Sequence, residues 1–211
     1  MTATGSAPPQ AAPPNPLDYG FQPGDIKTLS ELVCLRAERD GELPFVTFLA
    51  DGKADARVLT FGDLKTRGLK VAGVLQARGL NPGDRVLVML PSGLDFIETF
   101  FGILLAGMTP VPVYPPARLA RLEHYLRTLA SITETASCRA VIVDERLVPL
   151  VGKQLTFHKQ KLITDTEFRK AKEPGTLYPL EGASPAFLQF TSGTTRQPRG
   201  VLLLQSHVMA Q

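Results

Sequence analysis

The chain has 211 residues, 44% of them hydrophobic and 20% charged, with a formal net charge of +3. That length suits one substantial domain or part of a larger one. The small charge, with no basic stripe interleaved with aromatics, argues against a nucleic-acid partner. Cys34 and Cys138 stand far apart without a CxxC or CxxH context. They read as free buried thiols of a reducing cytoplasm, and no metal site is expected. The opening MTATGSAPPQAAPPNP has no basic region followed by an apolar one, so it is not read as a secretory signal. Residues 1–16 are expected to form a disordered Pro/Ala-rich leader. The longest apolar stretch, FIETFFGILLAG, is broken by Glu98 and is too short to span a bilayer.

In chain order, TLSELVCLRAER predicts a helix. Thr28 with Glu31 three residues on forms a capping-box pattern, and Leu29, Leu32, Val33 and Leu35 mark the apolar face. FVTFLA (45–50) and RVLTF (57–61) flank a polar turn and predict a hairpin. Asp63 to Arg78 is helical, with Gly79 as the stop. RVLVML then reads as a buried strand, Leu94 to Ala106 as a helix closed by Gly107, and TPVPVYPP as a short strand ended by prolines. Leu119 to Thr135 is an amphipathic helix, and RAVIVD (139–144) and KLITD (161–165) are further strands. Strands alternating with helices imply an α/β fold, a mostly parallel sheet flanked by helices on both faces.

Near the C-terminus, AFLQF and GVLLL read as strands around a polar loop, Thr191 to Arg199. This loop is longer than the ~2–5 residues a hairpin needs. Gly193 and Gly200 can adopt backbone angles closed to other residues, and successive N–H groups beside a glycine can form an anion-binding nest. Thr191, Ser192, Thr194 and Thr195 add hydroxyls, and Arg199 adds a planar fork suited to phosphate. On composition alone, a solvated Ser/Thr/Gly turn is the competing reading. A Walker A loop is absent.

The order of residues in TSGTTRQPRG resembles the phosphate-binding signature [ST]SG[ST]TGxPKG of the adenylate-forming enzymes, which include acyl-CoA synthetases, nonribosomal-peptide adenylation domains and luciferases. Arg196 stands where that family has glycine, and Arg199 where it has lysine. LTFGDL, the stretch from Gly83 through PSGLDFI, FFGILLAG and PVPVYPP, and GVLLLQSH extend the resemblance over residues 25–211. PVPVYPP followed by ARLARLEHYLRTL is most similar to the fatty-acyl-AMP ligase branch.

The resemblance implies a partial N-terminal AMP-binding domain over residues 17–211, incomplete after the phosphate loop. It implies ATP and Mg²⁺ as cofactors, a fatty acid as substrate, and an acyl-carrier-protein thiol or coenzyme A as acceptor. Thr191, Ser192, Gly193, Thr194, Thr195, Arg199 and Gly200 would hold the phosphates. The family's catalytic lysine lies beyond the chain, so the 211 residues are expected to be inactive alone and cytoplasmic. An acyl-CoA synthetase and a non-catalytic binding or scaffolding module, with Arg196 blocking triphosphate, remain as alternatives. His207 is expected to be structural beside an N-cap Ser206. His124, His158, Arg118, Arg121 and Arg127 are expected to be solvated surface, and Tyr114 with Pro115 and Pro116 to fix a turn. Asp95 and Glu98 are expected in the first turn of a helix, favoured by its dipole.

Overall fold

The computed structural model describes residues 24–49, 52, 56–116, 122–150, 160–191 and 198–210. The leader, His158, Arg118, Arg121 and the loop residues Ser192 to Gln197 therefore lie outside the described residues. In chain order the elements are α1 (Leu29–Arg39), β1 (Pro44–Leu49), β2 (Ala56–Thr60), α2 (Phe61–Ala77), β3 (Arg85–Met89), α3 (Leu94–Leu105), β4 (Thr109–Pro112) and α4 (Leu122–Thr135). They continue with β5 (Ala140–Val143), β6 (Lys161–Thr164), α5 (Asp165–Lys170), β7 (Pro185–Thr191), β8 (Arg199–Leu204) and α6 (Gln205–Met209).

The centre is a four-stranded parallel sheet in the order β4-β3-β5-β6. Because successive side chains of a strand point to opposite faces, Val86 and Val88 join Ala140, Ile142 and Ile163 in one core with α2 and α3. Leu87 and Met89 join Val111, Val141 and Val143 in a second core, against Leu129 and Ile132 of α4 and Leu188 of β7. Both faces are thus covered, which is why these strands read as unbroken apolar runs. The expected parallel α/β sheet is present, and β1–β2 and β7–β8 are separate antiparallel pairs.

The caps follow local chemistry. Thr28 Oγ1 accepts from the Glu31 amide at 3.1 Å, but the Glu31 carboxylate receives the Lys27 amide at 2.9 Å, one residue outside the expected box. Thr60 Oγ1 caps α2 by accepting from the Asp63 amide at 3.1 Å, so Phe61 begins the helix and does not end the strand. Gly79 and Gly107, at φ +71° and +74°, close α2 and α3 in the left-handed region that glycine occupies without strain. Leu35, assigned by its spacing to the apolar face of α1, is exposed, while Arg36 is buried on the Phe61 ring, 4.6 Å from its centroid. The stem of an arginine packs well on an aromatic face while its charge is met elsewhere, here by Asp40 at 3.1 Å.

Between α5 and β7 the chain has no regular structure, yet it is held tightly. The Gly175 amide donates to Leu69 O at 2.7 Å, the Tyr178 amide to Leu105 O at 2.8 Å, and Gln76 exchanges two hydrogen bonds with the backbone of Thr176. This strap crosses α2 and α3 and delivers the chain to β7.

Candidate functional site

β7 and β8 form the hairpin that carries the polar loop. Their register pairs Thr191 directly with Arg199 and Phe190 with Gly200. On the loop side each strand therefore runs one residue further than the apolar runs indicated, and the loop closes on a Thr191–Arg199 base. Thr191 Oγ1 lies 3.5 Å from the Arg199 carbonyl oxygen. Both residues are exposed, so the base presents a hydroxyl and a guanidinium to solvent together. Gly200 does not use the conformational freedom expected of it, since it is not among the positive-φ residues. Its small size matters instead: a Cβ there would stand 3.0 Å from Phe190 Cζ and 3.1 Å from Leu188 Cδ1. The missing side chain leaves room for the ring that packs the hairpin against the second core.

The far end of the hairpin is anchored by a residue that sequence reasoning missed. Gln205 is fully buried. Its Oε1 accepts from the Leu29 amide at 2.9 Å, and its Nε2 donates to Pro185 O at 3.2 Å. Its own backbone amide donates to Ser184 O at 2.9 Å. One side chain thus joins the start of α1, the start of β7 and the end of β8. A glutamine beside a leucine run carries no local signal of this; the partners are far apart in sequence. Ser206 is not the N-cap. The helix already begins at Gln205, with Leu204 as its N-cap residue, and the Ser206 amide instead reaches Gly182 O at 2.9 Å. His207 Nδ1 accepts from the Leu204 amide at 3.3 Å, the structural role expected of it.

Beside the loop base lies a cleft of about 690 Å³. From β3 the chain turns into α3 on one face of the sheet, and from β4 it turns towards α4 on the other. The cleft opens at the carboxyl ends of these two neighbouring strands. Leu90 and Ser92 after β3, and Val113 and Tyr114 after β4, line it on that side. Leu129 and Ile132 of α4 and Phe190 of β7 supply apolar walls, and Thr191 and Pro198 bring the loop base to its edge. The Tyr125 hydroxyl donates to the Tyr114 carbonyl at 2.7 Å and lies 2.9 Å from Met89 Sδ. Burial pushes the Tyr125 phenol up, so it remains a protonated donor. His124 is exposed, as expected, but stands on the rim of this cleft.

A second, ionic region lies at α2, α3 and α5. Asp95 pairs with Arg169 at 2.9 Å, and Glu98 pairs with Arg67 at 2.8 Å. Glu98 falls just beyond the first turn of α3, which contains only Asp95 as an acid. Desolvation raises the Glu98 carboxyl against the lowering effect of Arg67. Asp165 also pairs with Arg169, and Asp144 with Arg146. Every one of these carboxylates is committed to an arginine, which is the behaviour of a structural ion-pair network. Among the described residues no group of three or more His, Cys, Asp or Glu converges to hold a metal. Nor is any described helix long and apolar enough to cross a membrane.

Comparison of the chain with known proteins identifies its family. The model of the AMP-binding enzyme family covers residues 35–211. The chain belongs to the AMP-binding enzyme family. Among its relatives, the medium-chain-fatty-acid–acyl-carrier-protein ligase JamA of Moorena producens is 26% identical over 88% of this chain and 32% of its own length. The long-chain-fatty-acid–CoA ligase of Bacillus subtilis is 30% identical over 87% of this chain and 38% of its own length. The fatty acyl-adenylate ligase from L. pneumophila, solved in complex with acyl adenylate and pyrophosphate, superimposes with a TM-score of 0.70. It shares 30% identity over 86% of this chain and 31% of that one. This AMP-binding chain therefore spans about a third of the length of the relatives it matches, and its parallel sheet is part of the N-terminal domain of the adenylate-forming fold.

Proposed function

We propose that this chain supplies the phosphate-binding portion of an ATP-dependent ligase that activates a fatty acid as its acyl-adenylate. The observation that carries the reading is the hairpin register, which closes the signature loop on Thr191 and Arg199 beside a crevice at the strand ends. In this reaction the carboxylate attacks the α-phosphorus of ATP. A bond forms between a carboxylate oxygen and the α-phosphorus, the bond between that phosphorus and the oxygen bridging to the β-phosphate breaks, and pyrophosphate leaves with its electron pair. The protein's work is positioning and charge neutralisation. Thr191, Ser192, Gly193, Thr194, Thr195 and Gly200 belong to the cradle, and Arg199 meets the phosphate charge in place of lysine with a guanidinium fork. Fatty-acid ligases among the relatives support the substrate class, and they include both carrier-protein and coenzyme A acceptors. Residues 17–211 are read as one part of that domain, with turnover requiring the groups its relatives carry elsewhere in their length.

ATP binding by the 211-residue chain tests this reading. Calorimetry is expected to show saturable ATP binding that Arg199→Ala weakens about tenfold, the size of a charge-assisted contact. No saturable binding would overturn it. The Arg196→Gly variant addresses the alternative of a non-catalytic module. A large gain in ATP affinity on that substitution favours the module, and an unchanged affinity favours the ligase. ATP–pyrophosphate exchange by the chain with fatty acid present is expected to stay at background.

A further inference from the structure

On the face of the sheet opposite α4, the helices α2, α3 and α5 border a second cavity, of about 310 Å³. Val71 and Phe168, both members of the first core, give it an apolar side. Around them stand three cations, Arg67, Lys70 and Arg169, and three carboxylates, Asp95, Glu98 and Asp165. The ion pairs use these groups unevenly. Glu98 pairs with Arg67 at 2.8 Å, whereas Arg169 takes both Asp95, at 2.9 Å, and Asp165. Lys70 is left over: half-buried on α2, its ammonium has no ion pair or hydrogen bond among the described residues. Thr99 of α3 lines the same cavity and is only 1% exposed. Its hydroxyl also has no hydrogen-bond partner among the described residues. A buried hydroxyl without a partner is uncommon and calls for a group that supplies one.

We propose that this cavity binds a small monocarboxylate, whose oxygens accept from the Lys70 ammonium and the Thr99 hydroxyl. Both free groups donate, so the missing partner is an acceptor, and a carboxylate brings two oxygens to two donors on neighbouring helices. The lining is formally neutral, with three charges of each sign. A dianion such as phosphate would bring its second charge against carboxylates that the cations only just balance. Val71 and Phe168 suit a short hydrocarbon body. The volume lies at the bottom of the ~300–1,000 Å³ range of small-molecule sites, which limits that body to a few carbons. None of the residues lining this cavity lines the cleft beside the loop hairpin, so the site stands independently of the ligase reading.

Titration of the 211-residue chain with butanoate, followed by its methyl NMR resonances, tests the inference. Saturable shifts are expected at Val71 and none at Leu129 of the cleft wall. Lys70→Met keeps the aliphatic stem and removes the ammonium. It is expected to weaken butanoate binding about tenfold, the size of a charge-assisted hydrogen bond. Thr99→Val keeps the shape and removes the hydroxyl, with a loss of about fivefold expected. Inorganic phosphate is expected to bind more weakly than butanoate. Neither substitution should alter ATP binding, which separates the two sites: a chain that binds butanoate but not ATP defeats the ligase reading alone. Shifts that do not saturate, shifts confined to Leu129, wild-type affinity in both variants, or phosphate tighter than butanoate would each overturn the proposal.

Discussion

At the scale of single residues, the positions that matter most are not those with the most conspicuous chemistry. The carboxylates and arginines of α2, α3 and α5 neutralise one another, whereas Gln205, an uncharged amide, ties three segments around the root of the loop hairpin. Replacing Gln205 with leucine leaves the Leu29 amide without its acceptor, and an unsatisfied donor of this kind costs about 1–3 kcal/mol. Urea unfolding of Gln205→Leu is expected to show a loss of that size. A loss below about 0.5 kcal/mol would mean that water or another group satisfies the amide. Glycine 200 makes a related point. The sequence shows that a small residue stands there, but only the cross-strand ring of Phe190 shows why.

Among the elements, the α2–α3 contact has the least tolerance. These helices cross where Gly68 meets Gly102, and a Cβ on Gly102 would stand 2.5 Å from Val71 Cβ and 2.7 Å from the Gly68 carbonyl oxygen. Alanine in place of a helical glycine ordinarily stabilises by about 1 kcal/mol. Overpacking a tight contact costs about 1–3 kcal/mol, and a backbone carbonyl cannot swing aside as a flexible side-chain tip can. The clash wins, so Gly102→Ala is expected to lower the thermal midpoint. A raised midpoint would show that the two helices separate easily. The pattern of apolar residues revealed both helices and the parallel strands, and the glycines at 79 and 107 marked where the helices stop, because these depend on neighbours within a few positions. It misplaced Leu35 on the apolar face and Ser206 as an N-cap, because Arg36 packs on Phe61 and the Gln205 and Ser206 amides bond to the segment 182–184, partners distant in sequence.

For the whole molecule, the ion pairs at the strand ends make stability depend on pH. The Arg146 guanidinium holds the Asp144 carboxyl below its usual 3.8. A depressed carboxylate contributes stability above its unfolded value, and that contribution is lost as pH falls through its folded value. Glu98 is raised from its usual 4.5 by desolvation, so its effect has the opposite sign: full below 4.5 and lost as pH rises through the folded value. The stability difference between wild type and Asp144→Asn is therefore expected to be largest near pH 7 and to shrink as pH falls below about 4. A difference that stays constant across that range in urea unfolding would show that the pair is not coupled to folding.

The sequence by itself determined the fold class, the order of the strands and of the longer helices, and the phosphate-loop signature, since periodicity and a contiguous motif are written in neighbouring residues; it did not show the short α5. Only the tertiary structure decided that the loop closes on Thr191 and Arg199, that Gln205 secures the hairpin, and that Tyr125 walls a cleft beside it. Those features come from hydrogen bonds and packing between segments that chain order leaves far apart, and they exist only once the sheet has brought the segments together.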